Sequence, residues 1–283
     1  RLVRPGGSYV AFTGSFHGRT FGALSVTFKK ASREPFEPLP LKTKFLNFNV
    51  TTDDMAAAIC DDVAAVIVEP IQGEGGINVA SVDFLTMLRD SCDRVGAVLI
   101  YDEVQCGLGR AGDVFGFTAL GAPAPDVITL AKPLGGGLPA GAVLVNERVA
   151  DCIVPGTHGS TFAGNAVVAA AALDTLQRVT DPTMLRDVRD KGERMSAAFA
   201  EALGEHCVGV RGAGLMRGFE LREPLTAADV VGAARRCGLL LVGTDSPHVL
   251  RALPPLTITD ADITEAARAL RAAVQLLQEE QQS

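Results

Sequence analysis

The chain has 283 residues, of which 47% are hydrophobic and 21% charged, as in an ordinary globular protein of one or two domains. Its net charge of −7 argues against nucleic acid or an anionic membrane surface as the main partner. No apolar run is long enough for a membrane span. The six cysteines form no CxxC pair and have no histidine at metal-ligand spacing, so we expect neither a zinc site nor a disulfide framework, and a reducing compartment.

Four short apolar segments in the first half of the chain have the composition of buried strands. They are residues 9–12, 64–68, 97–100 and 127–130. Each is rich in β-branched or aromatic residues and lacks polar alternation, which is typical of strands covered on both faces. Stretches with helical spacing, such as Val82 to Val95, lie between them. This alternation predicts an α/β layer with a mostly parallel sheet.

Polar side chains follow each of these predicted strands. The first strand leads into residues 15–19, the second ends at Glu69, the third at Asp102 and the fourth at Lys132. Open α/β sheets bind their ligands at the carboxyl ends of the strands. The sequence therefore predicts a functional site at this edge of the sheet.

The chain after about Asn165 predicts a smaller α+β unit. Helices are expected over residues 166–176, 184–203, from a capping pair at Thr226 and Asp229 to about Gly238, and over 263–277. Short strands are expected at residues 208–210, 215–221 and 239–242. We therefore divide the chain into a large domain, residues 1–165, and a linking helix with a small C-terminal domain, residues 166–283.

Lys132 is the first candidate for chemistry. It follows a predicted strand and precedes the glycine-rich segment 133–137, whose backbone can approach a ligand closely. A lysine with its stem against apolar walls can have a lowered pKa and act as an amine nucleophile. A solvated surface lysine before a loop fits the same position.

Asp102 and Gln105 form the second candidate group. A lone carboxylate at the end of a buried strand is costly unless it is paired, and a pyridinium nitrogen is one suitable partner. Gln105, three residues on, is placed to hydrogen-bond a ring hydroxyl. An aspartate that caps the next turn is the structural alternative.

Three further residues suit a flat cofactor and an anionic substrate. Phe16 could lie on the face of a ring, while Arg19 could grip a carboxylate through both of its guanidinium nitrogens. Arg251 could meet a carboxylate from the small domain. A core phenylalanine and surface arginines are the alternatives.

The remaining candidates lie in loops. Glu69 and Glu74 flank a glycine-containing turn, where two acids could orient a cofactor or gate an arginine. Ser160 and Thr161 could donate hydroxyls to a phosphate or cap the next helix. For Glu103 we prefer the interpretation of a solvated loop acid.

Five of these segments together resemble one family. They are Phe16-His17-Gly18-Arg19-Thr20, Glu69-Pro70-Ile71-Gln72-Gly73-Glu74-Gly75-Gly76, Tyr101-Asp102-Glu103-Val104-Gln105, Leu130-Ala131-Lys132 and His158-Gly159-Ser160-Thr161-Phe162. In this order they resemble the class III aminotransferases, which depend on pyridoxal 5′-phosphate (PLP) and have fold type I. The resemblance covers nearly the whole chain and implies a large domain with a mostly parallel sheet plus a smaller α+β domain.

The resemblance implies a set of cofactor-binding residues. Lys132 would carry PLP as a Schiff base, the Lys–PLP aldimine, and move the proton between Cα and the cofactor. Asp102 would pair with the pyridine nitrogen. Gln105 would contact the ring oxygen, with Val104 beside it, and Phe16 would stack on the ring.

It also implies substrate-binding residues and a homodimer with shared active sites. Arg19 would bind the α-carboxylate of the amino acid, and Ser160 would lie near the substrate. Thr161 would reach the phosphate of the cofactor in the partner subunit. Glu74 would hold Arg251 when a side-chain amine enters and release it when 2-oxoglutarate brings a second carboxylate.

Within the class, the sequence looks most like enzymes that act on N2-acetylornithine, with 2-oxoglutarate as acceptor, in arginine biosynthesis. His17 and the Gly75-Gly76 pair favour this branch over the ornithine enzymes. Ornithine or 4-aminobutyrate transamination and an aminomutase activity stay open. A non-catalytic paralogue is less consistent with intact Lys132, Asp102 and Gln105.

The family also has a Gly-Thr phosphate loop at a helix N-terminus upstream of Phe16, and this sequence does not contain it. The first residue is Arg1. We therefore expect the sequence to be a fragment that lacks its N-terminal part, and we expect a cytoplasmic enzyme or, in a eukaryote, one of the mitochondrial matrix.

Overall fold

The computed structural model describes residues 1–282. The strands are β1 (Ser8–Phe12), β2 (Thr43–Leu46), β3 (Val63–Val68), β4 (Ile71–Gln72), β5 (Asn78–Val79), β6 (Val98–Asp102), β7 (Val127–Leu130), β8 (Ala142–Val145), β9 (Cys207–Ala213), β10 (Met216–Leu221) and β11 (Val249–Ala252). The helices are α1 (Phe21–Ser25), α2 (Lys30–Arg33), α3 (Asp53–Ala57), α4 (Val82–Val95), α5 (Gly116–Leu120), α6 (Glu147–Ala150), α7 (Ala166–Val179), α8 (Pro182–Leu203), α9 (Ala227–Arg236) and α10 (Asp260–Gln282). Short 3₁₀ turns cover Glu34–Phe36, Lys132–Gly135 and Gly204–His206.

The first half of the chain forms a six-stranded sheet of order β2-β1-β3-β6-β7-β8. All neighbouring pairs are parallel except β7 with β8. The four predicted strands and the mostly parallel α/β sheet are confirmed. Strands β2 and β8 were not predicted, because each is only four residues long and contains no fully buried residue.

A buried aromatic cluster joins this sheet to α4. Phe12 on β1 and Phe84 on α4 are fully buried, with ring centroids 5.1 Å apart in an edge-to-face arrangement. Ser81 caps α4 by accepting a hydrogen bond from the Phe84 amide, and Gly96 ends it in the left-handed region at φ 68°. The predicted bounds of this helix are therefore confirmed. This packing leaves the carboxyl ends of the strands as a common edge.

The second half of the chain builds a three-stranded antiparallel sheet, β11-β10-β9, against α8, α9 and α10. Its core centres on Phe199, Phe219 and Leu250, all buried. The predicted capping pair of α9 is present, since the Thr226 hydroxyl accepts from the Asp229 amide and the Asp229 carboxylate accepts from the Thr226 amide.

The predicted strand at residues 239–242 is wrong. Only Val242 makes a bridge, to Arg251, and Leu240 is 82% exposed. The third strand is instead β11, all of whose residues are buried. An arginine inside this short segment hides its buried character from a hydropathy pattern. The predicted domain boundary after residue 165 falls at Asn165, the N-cap of α7, and the division itself stays a prediction.

Across residues 1–282, none of the helices combines the length and the apolar composition needed to cross a membrane.

Candidate active site

The carboxyl ends of the central strands bring the main candidates together. Asp102, the last residue of β6, is the register partner of Thr129 on β7, and Lys132 follows three residues later. A cavity of about 360 Å³ is lined by Lys132, Val104 and Gln105 from this edge, together with Glu74 and Arg251. Leu253 and Leu256 add an apolar wall from the small sheet side. Residues from both halves of the chain thus form one site.

Lys132 has a strained backbone. Its φ is +43°, in the left-handed region that a residue with a β-carbon rarely adopts, at the first position of a 3₁₀ turn. Such a conformation costs on the order of 1–3 kcal/mol and persists only where the surroundings enforce it. The backbone conformation therefore distinguishes Lys132 from ordinary loop residues, whatever the chemistry of its side chain.

The Lys132 amine lies among charged groups. Burial lowers its pKa, while the negative charges of Glu69, Glu74 and Asp102 act in the opposite direction. The residue as a whole is exposed, because the cavity is open on its outer side, yet the amine end is desolvated enough for burial to prevail. A lower pKa increases the fraction of neutral amine, which is the nucleophilic form.

Asp102 is held rigidly at the base of the site. Its Oδ1 accepts hydrogen bonds from the Val104 amide at 3.1 Å and the Thr129 hydroxyl at 3.0 Å. Its Oδ2 lies 2.7 Å from Nδ1 of His17, whose side chain is almost fully buried. These contacts fix the position of the Asp102 carboxyl group, and a carboxylate is the group that suits a pyridinium nitrogen.

His17 and Thr129 contact Asp102, and neither was among the predicted site residues. His17 was considered only as a mark of one branch of the family, and Thr129 was not considered. The available signal for Thr129 was its position opposite Asp102 in a parallel pair of strands. For His17 the available signal was its position next to Phe16, just after the end of β1. Only β3 lies between β1 and β6 in the sheet.

Glu69 connects two loops at the site. It is 4% exposed, and its Oε1 accepts from the Phe16 amide and its Oε2 from the Gly73 amide, both at 3.0 Å. Burial raises the pKa of Glu69 to about 7, an effect that Asp102 reinforces and that His17 and the two backbone donors oppose. Glu69 therefore fixes the position of the aromatic segment relative to the turn at Gly73.

Glu74 and Arg251 form an ion pair across the cavity. Nη1 of Arg251 lies 2.7 Å from Oε1 of Glu74 and 3.2 Å from Oε1 of Gln105, and Arg251 is only 7% exposed. Burial acts to raise the pKa of Glu74, but hydrogen bonds and charge from Arg251 bring it below its ordinary value. The arginine is therefore held in place by an acid and an amide.

The remaining predicted residues lie further out. Phe16 is half-buried, and the exposed Arg19 guanidinium lies 5.7 Å from the centre of its ring. Ser160 and Thr161 are exposed in the segment between α6 and α7 and are not among the residues that line the cavity. The structure thus brings Lys132 and its neighbours together and leaves this Ser-Thr pair apart.

The interpretation of Glu103 as a solvated loop acid is wrong. Glu103 is 1% exposed and accepts hydrogen bonds from the Gly116 amide at 2.7 Å and the Phe117 amide at 2.9 Å. It also accepts from the Cys106 thiol at 3.1 Å. It satisfies the free amides at the start of α5 and so fixes the loop that carries Val104 and Gln105.

The side chains present suit PLP on three sides. The Asp102 carboxylate suits its ring nitrogen, the Gln105 amide its ring oxygen and the Lys132 amine its aldehyde carbon. Lys132 and Gln105 line the same cavity, so two of these groups face one space. A β-carbon added at Gly73 would lie 2.1 Å from the Gln105 side chain, so glycine at this position gives the amide the room it occupies.

Comparison with known proteins identifies the family. The sequence profile described as aminotransferase class-III matches residues 5–274. The mitochondrial acetylornithine aminotransferase of Alnus glutinosa is 44% identical over 277 residues, which are 94% of this chain and 59% of that protein. The acetylornithine aminotransferase of Streptomyces coelicolor is 45% identical over 258 residues, 91% of this chain and 63% of that protein.

Among solved structures, the ornithine aminotransferase of Toxoplasma gondii, described with partial occupancy of PLP at its active site, has a TM-score of 0.89. It is 29% identical and covers 99% of this chain and 68% of its own. The chain spans about three fifths of the length of the curated relatives it matches.

Proposed function

The chain belongs to the class III aminotransferases, a family of PLP-dependent transferases, and from this premise we propose that the protein transfers the amino group of N2-acetylornithine to 2-oxoglutarate, a step of arginine biosynthesis. The observation that carries the proposal is the cavity in which Lys132 faces the Glu74–Arg251 ion pair. On one side of the cavity, Lys132 can take part in the exchange of an amino group. On the other side, Arg251 can bind a second carboxylate or remain paired with Glu74.

The cofactor would be held by residues already described. When bound, PLP supplies an aldehyde carbon that condenses with amines and a ring that takes up electrons from the bonds of the carbon that carries the amine. Asp102, fixed by Thr129 and His17, would pair with the protonated ring nitrogen. Phe16 would cover a face of the ring, and Val104 and Gln105 would lie at its oxygen side.

Lys132 is the proton carrier in this proposal. Its neutral amine would take a proton from the carbon that bears the reacting amine, which is Cδ in N2-acetylornithine because the α-amine is acetylated, and would return the proton later in the reaction, acting as general base and then general acid. The lowered pKa favours the base form, and the acids around it stabilise the cation once the proton has been taken up. The fixed backbone of the strained turn keeps the amine in reach.

The two arginines would bind different carboxylates of the substrates. Arg19 would bind the α-carboxylate that every amino-acid substrate carries. Arg251 would receive the second carboxylate of 2-oxoglutarate and would stay with Glu74 while the side-chain amine of acetylornithine, which brings no carboxylate, enters the cavity. The apolar wall at Leu253 and Leu256 suits the methylene chain that carries this amine.

We also propose a homodimer with shared active sites, divided within each subunit into a large domain, residues 1–165, and the linking helix with the small domain, residues 166–283. Ser160 and Thr161 would serve the site of the partner subunit. Large apolar side chains in this region support an interface, since Phe162 is 82% and Val167 71% exposed. Six free cysteines within the described residues support a reducing compartment, the cytoplasm or the mitochondrial matrix.

Ornithine is the second candidate donor, because the Toxoplasma gondii ornithine aminotransferase shares this fold with a TM-score of 0.89. Single-turnover bleaching of the PLP form with acetylornithine, ornithine and 4-aminobutyrate in parallel distinguishes the donors. We expect acetylornithine to react fastest. An equal or faster reaction with either of the other two amines would overturn the assignment.

A further inference from the structure

Gln105 contacts both members of the ion pair that the proposed function treats as a gate. Its Oε1 accepts from Nη1 of Arg251 at 3.2 Å, and the same Nη1 donates to Glu74 at 2.7 Å. A hydrogen bond from Gln105 also contributes to the lowered pKa of Glu74. The amide oxygen of Gln105 therefore shares one guanidinium nitrogen of Arg251 with the Glu74 carboxylate.

The backbone of Gly73 limits where this amide can go. A β-carbon at Gly73 would lie 2.1 Å from Oε1 and 2.3 Å from Nε2 of Gln105, so the amide rests directly on the glycine. The Gly73 amide is itself held by the buried Glu69. The glycine therefore bounds the Gln105 amide on one side.

An amide has a single acceptor oxygen, so its orientation depends on which groups surround it. With Arg251 in the ion pair, the oxygen is directed to the guanidinium. If a substrate carboxylate takes Arg251 away from Glu74, the oxygen loses that donor and the amide reorients. A change at the gate is then transmitted to whatever else Gln105 contacts.

We propose that Gln105 is the third member of the gate: it helps Glu74 to retain Arg251, and its amide transmits the release of Arg251 to the ring oxygen of the cofactor. This inference rests on the proposed function, which supplies the cofactor and the second carboxylate. It makes Gln105 a positioning residue that couples the two ends of the site. By reciprocity, the state of the ring alters the affinity for the second carboxylate.

The test uses the full-length protein loaded with PLP and glutarate, an unreactive dicarboxylate. Gln105→Glu places a second acid at Arg251 and should weaken glutarate binding about tenfold, or about 1.4 kcal/mol. Gln105→Ala removes an acceptor from the gate and should strengthen binding a few-fold, as should Glu74→Gln. Calorimetry measures the dissociation constants, and propionate, which lacks the second carboxylate, serves as the control ligand.

The second readout is the visible spectrum of the bound cofactor. Saturating glutarate should change the spectrum of the wild-type protein and should leave that of Gln105→Ala unchanged, while propionate affects both alike. If Gln105→Glu and Gln105→Ala change glutarate affinity in the same direction, or the spectral change survives in Gln105→Ala, the coupling is wrong and the transaminase proposal stands. If the wild-type protein forms no borohydride-reducible bond at Lys132, or does not bind glutarate, both are wrong.

Discussion

Replacing Glu69 by Gln is the sharpest test of how the site is held together. The substitution keeps the shape of the side chain but leaves one acceptor oxygen where there were two. One of the amides of Phe16 and Gly73 then faces an NH₂ group instead of an oxygen. A buried donor without a partner costs about 1–3 kcal/mol, so we expect the variant to be destabilised by that amount in slightly acid solution.

The pH dependence follows from the raised pKa of Glu69. In the unfolded chain the carboxyl titrates near 4.5, and in the folded protein near 7. The protonated form is favoured by folding, so this contribution to stability is fully present below pH 4.5 and is lost as the pH rises through 7. The loss amounts to roughly 3 kcal/mol at about 1.4 kcal/mol per pKa unit, as an order of magnitude.

Gln does not titrate, so the variant lacks this loss. The free energy of unfolding of wild type minus that of Glu69→Gln should therefore fall between pH 5 and pH 8. Urea unfolding followed by circular dichroism at several pH values measures it. Glu201→Gln, at an exposed carboxylate paired with Arg271, is the matched control. A wild-type-to-variant difference that stays constant over this range would refute the buried-carboxylate argument.

Two further predictions concern the strand ends. Lys132→Ala should lower transamination by at least roughly 10²–10⁴-fold, the usual contribution of a positioned proton carrier, whereas Lys132→Gly should lose it equally and gain about 1 kcal/mol of stability by relieving the left-handed strain. Turnover assays and urea unfolding check both, and an active Lys132→Ala would contradict the assignment. Thr129→Val should cost about 1–1.5 kcal/mol because Asp102 loses a hydroxyl donor, with Thr129→Ser as the control that keeps it. Equal unfolding free energies for the two Thr129 variants would show that this hydrogen bond is not stabilising.

The four predicted strands and helix α4 follow from local patterns, and so does the position of the site. Uninterrupted apolar runs require cover on both faces, which only a parallel sheet between helices provides. Parallel strands end at one edge, so Asp102 and Lys132 had to lie near each other. The prediction of a strand at residues 239–242 was wrong because an apolar pattern alone does not show whether a segment is buried in a sheet.

The sequence by itself determined the family and the sheet, since these depend on patterns within a few residues, and it predicts which residues would hold a cofactor. Tertiary structure alone decided most of the partners. Glu69 meets Phe16 across 53 residues and His17 meets Asp102 across 85. The burial of Glu103 belongs to the same group. The pair of Glu74 and Arg251, 177 residues apart, was expected from the family resemblance and not from local patterns. Each of these contacts exists because separate elements pack against one another, and the cost of burying an unpaired polar group selects the pairing only once they have packed.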